Sequence, residues 1–358
     1  MAVETIVIAG GGTGGHLYPG IAIAEELQRR RQGLAIVFAG VGLPLEREIV
    51  GQHGFRLLAI RSGGVVGKTF GARLLGAWRA LGGFAQSVGI LFRMKPRAVV
   101  GVGGYASGPM VLAATVLRIP TLIHEQNYVP GVTNRLLAPW ARKVAVSFEE
   151  TRHHLGGRGE ITGNPIRAAF GQARRKARGG TFSVLVFGGS QGARAINTAV
   201  MEALPYLEPH RLGLRFRHGT GPGDLARVTA AYADRRFEAS VTPYIAGIRE
   251  AYDQADMVIA RAGASTVSEI AACGKASILV PLPTSAHDHQ RANARKFAEA
   301  GAAILIEEGA LTGEALAKTL LALRDEPARL LAMERAAASL AHPDAAARIA
   351  DMVEELIA

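Results

Sequence analysis

The sequence predicts an α/β protein built from two doubly wound, parallel-sheet domains. Short apolar runs alternate with helical patterns along all 358 residues, which is the signature of a parallel sheet with helices on both faces. The opening unit, Thr5–Ala9 followed by Gly10-Gly11-Gly12-Thr13-Gly14-Gly15-His16, restarts at Phe182–Phe187 followed by Gly188-Gly189-Ser190-Gln191-Gly192-Ala193. Between them, Arg174-Arg175-Lys176-Ala177-Arg178-Gly179-Gly180 reads as a charged connector near a domain boundary. Two such halves, each with its own glycine loop, suggest similar domains facing a cleft.

Composition narrows the function. A chain with 49% hydrophobic residues can bury a large core. Its one cysteine, Cys273, gives no disulfide framework and fits a reducing compartment. The chain enters its first strand almost at once, with no signal-peptide pattern and no apolar run long enough to span a bilayer. The formal charge of +11 points to an anionic partner such as a phosphorylated substrate or an acidic lipid surface. Arginines are dispersed, no nucleic-acid signature stands out, and 6% aromatics make a poor base-stacking platform, so no nucleic acid is expected.

In chain order, Thr5–Ala9 is a buried strand, and the glycines after it let the backbone approach a ligand closely. A helix is expected to begin after Pro19, with Ile21, Ile23, Ala24 and Leu27 on its inner face. A strand, a glycine turn and a helix N-terminus make an anion site, and His16 stands at its mouth as an ionisable group. Gly10, Gly12 and Gly15 also satisfy the dinucleotide fingerprint, but the second strand, Leu34–Ala39, runs into Gly40-Val41-Gly42 without the carboxylate that a ribose needs. Phe55–Ile60 reads as a third strand. Leu74, Trp78, Leu81, Ala85 and Val88 then share one helical face. That face either packs on the sheet or, with Arg73, Arg79 and Arg93 nearby, meets anionic head groups. Val99–Val102 leads into a second glycine loop, Gly103-Gly104-Tyr105, and a helix over Met110–Leu117. Thr121–Ile123 ends in the polar run His124-Glu125-Gln126-Asn127, and Val144–Ser147 reads as the last strand of this half.

In the second half, Met257–Ala260 is a strand followed by Ala264-Ser265-Thr266-Val267-Ser268-Glu269, a turn into a helix whose early glutamate can accept from a ribose diol. Ser277–Val280 ends in a polar cluster around His287, Asp288, His289 and Gln290; adjacent residues converge poorly on one ion, so no metal is expected. Ala345–Leu356 is amphipathic, with Ile349, Met352, Val353 and Leu356 on one side.

Six motifs in order resemble a known family. They are Gly-Gly-Thr-Gly-Gly-His (11–16), His-Glu-Gln-Asn (124–127), Gly-Asn-Pro-Ile-Arg (163–167), Gly-Gly-Ser-Gln-Gly-Ala (188–193), Thr-Val-Ser-Glu (266–269) and Asp-His-Gln-x-x-Asn-Ala (288–294). Together they resemble the MurG family of glycosyltransferases, family 28, over nearly the whole chain. The resemblance implies the GT-B fold, with an acceptor and membrane-binding domain at 1–163, a UDP-GlcNAc-binding domain at 164–340, and a C-terminal helix at 341–358 returning to the first. It implies an inverting hexosyltransferase that moves GlcNAc from UDP-GlcNAc to the 4-hydroxyl of MurNAc in undecaprenyl-pyrophosphoryl-MurNAc-pentapeptide, converting lipid I to lipid II in peptidoglycan synthesis. No cofactor is implied. The implied location is peripheral, on the cytoplasmic face of the bacterial plasma membrane, with its anionic surface and other cell-wall synthesis proteins as partners.

Residue by residue, the resemblance makes His16 the catalytic base. It assigns Thr13, Gly14, Gly15, Asn127, Arg167, Ser190, Ile245, Ala264, Ser265, Thr266, Val267, Ser268, Glu269 and Gln290 to UDP-GlcNAc. It assigns Gly12, Gly14, Gly103, Gly104 and Tyr105 to the acceptor pyrophosphate, and Leu74, Leu75, Trp78, Arg79 and Leu81 to a membrane patch. One departure is His289-Gln290, where some members carry Gln-Gln. The chemistry suits these residues: an imidazole takes the proton of the attacking hydroxyl, and a helix N-terminus with Arg167 stabilises the departing diphosphate. Competing readings on the same fold are a UDP-GlcNAc 2-epimerase and another lipid glycosyltransferase. From other classes come a nicotinamide oxidoreductase and a non-catalytic basic membrane-binding protein.

Overall fold

The computed structural model describes residues 4–12, 14–62, 70–167, 170, 180–189, 192–285 and 288–358, with the side chains of 70–80 left aside. The chain divides into two compact units. Unit 1 is Met1–Ala168 with His342–Ala358, and unit 2 is Ala169–Ala341.

Unit 1 carries β1 (Thr5–Ala9), β2 (Ala35–Gly40), β3 (Arg56–Ala59), β4 (Ala98–Gly101), β5 (Thr121–Glu125), β6 (Lys143–Val146) and β7 (Glu160–Ile161). They form one sheet in the order β3-β2-β1-β4-β5-β6-β7, with every pairing parallel. The strand order reverses between β1 and β4, the point of a doubly wound sheet where ligands are usually bound. The helices are α1 (Gly14–Arg30), α2 (Pro44–Gln52), α3 (Phe70–Met94), α4 (Ser107–Val116), α5 (Val132–Leu137) and the short α6 (Thr151–His154).

Three expectations need correction. The first helix starts at Gly14, not after Pro19, so Pro19 lies inside it and His16 sits in its first turn. Val144–Ser147 is not the last strand of this half. Glu160–Ile161 adds a parallel pair beside it, too short to show a period-2 pattern in the sequence. The expected apolar face of α3 is split where its side chains are described: Leu81 is 62% exposed and Ala85 is exposed too, whereas Val88 is half-buried against the core. The helix instead buries Gly83, Ser87 and Leu91. A Cβ at Gly83 would overlap the carbonyl of Arg61, so only glycine allows that close approach. The side chains of Leu74, Leu75, Trp78 and Arg79 lie outside the described residues.

Unit 2 carries β8 (Phe182–Phe187), β9 (Leu214–Gly219), β10 (Glu238–Thr242), β11 (Met257–Ala260), β12 (Ala276–Leu279) and β13 (Ala303–Leu305), with α7 (Arg194–Leu207), α8 (Leu225–Asp234), α9 (Ile248–Gln254), α10 (Ala264–Cys273), α11 (His289–Glu299), α12 (Gly313–Asp325) and α13 (Pro327–Ser339). The sheet order is β10-β9-β8-β11-β12-β13, again wholly parallel, with its reversal between β8 and β11.

The last helix, α14 (Ala345–Ile357), belongs to unit 1. Its buried Ile349, Met352, Val353 and Ile357 join Ile6, Leu27 and Val100 in one core. Arg30 pairs with Asp351 at 2.5 Å and Glu354 at 3.1 Å, and Lys143 pairs with Glu355. Burial of each large apolar side chain is worth about 1.5–3 kcal/mol, whereas exposed ion pairs are worth about 1 kcal/mol at most. The apolar stripe therefore fixes the helix, and the charges set its register.

Candidate active site

In unit 1, the loops after β1 and β4 pack against each other through bare backbone. A Cβ at Gly104 would overlap the carbonyl of Gly11, and one at Gly10 would overlap the Val102 side chain. Gly103 and Gly104 hold φ of 85° and 80°, a region that favours glycine. His16 stands over Gly103: a Cβ there would lie 2.9 Å from its Nδ1. The ring is half-buried, with Nδ1 fully enclosed. Burial lowers its pKa below the ordinary 6.5, and hydrogen bonding toward Gln126 and the Val102 backbone opposes the shift. A neutral imidazole at physiological pH is the form that can accept a proton.

The run at the end of β5 is a scaffold. The buried Glu125 carboxylate accepts from Asn127 N (3.0 Å), Asn127 Nδ2 (3.2 Å), Gly131 N (3.0 Å) and Asn134 Nδ2 (2.9 Å). His124 is buried, lies 3.2 Å by Nε2 from the carbonyl of Gly163, and has its pKa pulled down to about 4 by desolvation. Arg167 stacks over the ring of Tyr18 at 4.8 Å. Tyr105 is exposed, and its carbonyl accepts from Ser62 Oγ at 2.5 Å.

Sequence reasoning missed Glu46, which is 1% exposed. Its carboxylate accepts from Gly12 N at 2.6 Å, Gly42 N at 2.5 Å and Leu43 N at 3.1 Å. A carboxylate therefore does arrive near the end of β2, where a dinucleotide site would need one, but the protein's own loops occupy it. Gly12, expected at the acceptor pyrophosphate, thus donates its N–H to Glu46. The available signal was a glutamate three residues into a proline-started helix, directly after Gly-Val-Gly.

In unit 2, the loop after β8 enters α7 at its N-terminus. Gly192 holds φ of 74°, and a Cβ there would overlap the Thr220 carbonyl; Gly189 holds φ of 90° with no described atom within 4 Å of such a Cβ. A buried network supports this edge. Asn197 Nδ2 donates to Thr220 O at 2.9 Å and to Asp224 at 2.8 Å, and its Oδ1 lies 3.0 Å from His218 Nε2. Neither Asn197 nor His218 was legible as part of the site, because each lies in an ordinary helix or strand pattern.

The other expected positions of unit 2 gather at the same carboxyl edge. Ile245 packs where a Cβ at Gly219 would stand, 2.9 Å away. Glu269, half-buried on α10, accepts from Tyr252 OH at 3.3 Å. Ser265, Thr266 and Ser268 are half-buried, and Ser268 Oγ donates back to Ala264 O at 2.9 Å. Val267 departs from expectation: its side chain is fully buried and its N–H bonds to Gly263 O at 3.0 Å, which closes the first turn of the helix. Ala264 is also buried, but it precedes the intrahelical ladder. Gln290 Oε1 accepts from Leu282 N at 3.0 Å. Thr13, Ser190 and His287 lie outside the described residues. Among the described residues, no three His, Cys, Asp or Glu side chains gather where they could hold a metal ion. A cavity of about 570 Å³ opens elsewhere on unit 2, over the first residues of β8, β9 and β10, and includes none of these positions.

Two parallel-sheet units, each with a glycine loop at its strand reversal, define a GT-B glycosyltransferase architecture. Comparison with known proteins gives the family. Residues 6–146 match the glycosyltransferase family 28 N-terminal domain, and residues 183–349 match its C-terminal domain. The chain is 45% identical over 355 residues to the UDP-N-acetylglucosamine--N-acetylmuramyl-(pentapeptide) pyrophosphoryl-undecaprenol N-acetylglucosamine transferase of Myxococcus xanthus, covering 98% of this chain and 93% of that protein. The crystal structure of Acinetobacter baumannii MurG superposes with a TM-score of 0.81 at 30% identity, over 98% of this chain and 99% of that one. A UDP-N-acetylglucosamine 2-epimerase structure from Listeria monocytogenes shares the fold alone, at a TM-score of 0.71 and 14% identity over 97% of this chain and 95% of that one. The chain belongs to glycosyltransferase family 28.

Proposed function

We propose that this protein transfers GlcNAc from UDP-GlcNAc to the MurNAc 4-hydroxyl of undecaprenyl-pyrophosphoryl-MurNAc-pentapeptide, the step that completes the lipid-linked disaccharide of peptidoglycan. The observation that carries this is 45% identity, over 98% of the chain, to a protein named for that transfer. Unit 2 is assigned the donor. The loop from Gly188 to Gly192 and the N-terminus of α7 take the diphosphate with Ser190, and Glu269 takes the ribose. Ile245 borders the uracil, and Asn127, Arg167 and the amide of Gln290 contact the donor. Unit 1 is assigned the acceptor, its pyrophosphate held at Gly103, Gly104 and Tyr105.

The acceptor oxygen attacks the anomeric carbon as the bond to UDP breaks, which inverts that centre. The hydroxyl proton passes to His16, and UDP leaves with the bonding pair. Exposed Leu81 and Phe92 on α3 support a membrane-facing surface there, with anionic lipid as its partner and the cytoplasmic leaflet as its location. Among the described residues no helix is long and apolar enough to cross a membrane.

The test is incubation with labelled UDP-GlcNAc and a short-chain lipid-linked MurNAc-pentapeptide in the presence of a chelator. Label is expected in the lipid. Conversion of UDP-GlcNAc without acceptor would instead favour epimerisation, and donor binding without transfer would reject this acceptor.

A further inference from the structure

Gln126 is almost fully buried at the carboxyl end of β5, beside the base. Its Nε2 donates to the Val102 carbonyl at 2.7 Å. A carbonyl can only accept, so this bond fixes which way the amide is turned, and Oε1 must face the other way. Among the described residues, Oε1 has no hydrogen bond of good geometry, and neither does Nδ1 of His16. Both atoms overhang Gly103, where a Cβ would lie 2.9 Å from His16 Nδ1 and 3.6 Å from Gln126 Oε1. A buried polar atom left unpaired is costly, so two neighbours in that state gain most by pairing with each other.

We propose that Gln126 is the positioning residue of the base: its Oε1 accepts the Nδ1–H of His16 and thereby keeps Nε2 bare for the acceptor hydroxyl. Oε1 has no proton to give, so the bond exists only when the proton of the neutral ring sits on Nδ1. The Val102 carbonyl is itself taken by Gln126 Nε2. The remaining ionisable neighbours do not compete. His124 stays neutral down to about pH 4, and Glu125 spends both carboxylate oxygens on Asn127, Gly131 and Asn134. Gly103 completes the device, because a side chain there would occupy the space in which the two atoms meet. The inference rests on His16 being the base.

The test is a long-range proton–nitrogen correlation spectrum of histidine-labelled protein above pH 8, with the His16 signals assigned by their loss in His16→Ala. The wild type is expected to show the Nδ1–H tautomer. Gln126→Leu is expected to bring up the Nε2–H tautomer and to lower kcat roughly 10- to 100-fold, less than loss of the base itself, with KM for UDP-GlcNAc within about threefold. Gln126→Glu keeps an acceptor opposite Nδ1 but gives up the donor to Val102. It is expected to recover about tenfold of the kcat lost in Gln126→Leu and to move the acid limb of the rate profile to higher pH, since a carboxylate favours the charged ring. A wild-type Nε2–H tautomer overturns the proposal. So does Gln126→Glu as damaging as Gln126→Leu, since the Val102 bond would then be what matters. If Gln126→Leu fails to fold, the wild-type spectrum and Gln126→Glu still decide. Near-normal turnover of His16→Ala beside a wild-type Nδ1–H tautomer would remove the base assignment while leaving the pairing intact.

Discussion

In unit 1 the glycine loop after β1 is closed by the protein itself. Gly11 meets Gly104 backbone to backbone, and the Gly12 N–H is taken by Glu46. In unit 2 the corresponding loop after β8 is packed at both ends, where Gly188 meets Ala193 and Gly192 meets Thr220, while Gly189 has open space beside it among the described residues. The two stretches read alike in sequence, yet their glycines meet different neighbours, Glu46 and the Gly103–Gly104 loop in one and Ala193 and Thr220 in the other. A glycine-rich turn licenses a close contact and does not say with what.

The sharpest break of this contrast is His16→Ala. Turnover is expected to fall by roughly two to four orders of magnitude, with UDP-GlcNAc binding by calorimetry unchanged. A loss of donor affinity as large as the loss of turnover would mean that the His16 side chain serves binding and not proton transfer.

A pair of substitutions tests the packing itself. Gly104→Ala meets both a positive φ and the Gly11 carbonyl, and is expected to cost roughly 2–4 kcal/mol of stability. Gly189→Ala meets only its φ of 90°. It is expected to cost about 1 kcal/mol while weakening UDP affinity. Thermal unfolding and UDP titration of both variants check this, and equal destabilisation would erase the distinction between the loops.

The smallest effect is on acid stability. His124 in unit 1 is pulled down to about 4 and His218 in unit 2 to about 3, each by burial, from 6.5. Below pH 6.5 the unfolded chain takes up protons that the folded chain refuses, so stability is lost as pH falls through that window. Glu125, raised by burial, works the other way and offsets part of the loss in unit 1. His16 and His342, also lowered by burial, add to the loss in unit 1. Hydrogen exchange between pH 7.5 and 4.5 is expected to show both units losing protection as pH falls, and protection in unit 2 that does not change would mean that His218 is not linked to its folding.

Much of this was legible in the sequence. Alternating strands and helices gave both sheets, because each buried strand is a run such as Val184–Phe187 and each helix has an apolar stripe. The polar ends of β5 and β12 and the Thr-Val-Ser-Glu turn marked the candidate site's edges, because buried strands do not otherwise end in dense hydrogen-bonding groups. What escaped depended on distance in the chain. Glu46 reaches back 34 residues to Gly12, and no local pattern encodes that. The split face of α3 depended on a glycine meeting the backbone at Arg61. Val267 looked like part of a binding turn until the helix ladder claimed its N–H.

The return of α14 to unit 1 has a consequence for biosynthesis. The first 168 residues leave the ribosome without the stripe that Ile349, Met352, Val353 and Ile357 supply to their core. The whole of unit 2 is made in the interval. At about 5–20 residues per second, the later unit can close while the earlier one still waits for its final wedge. Chaperone demand should therefore centre on the half that is translated first.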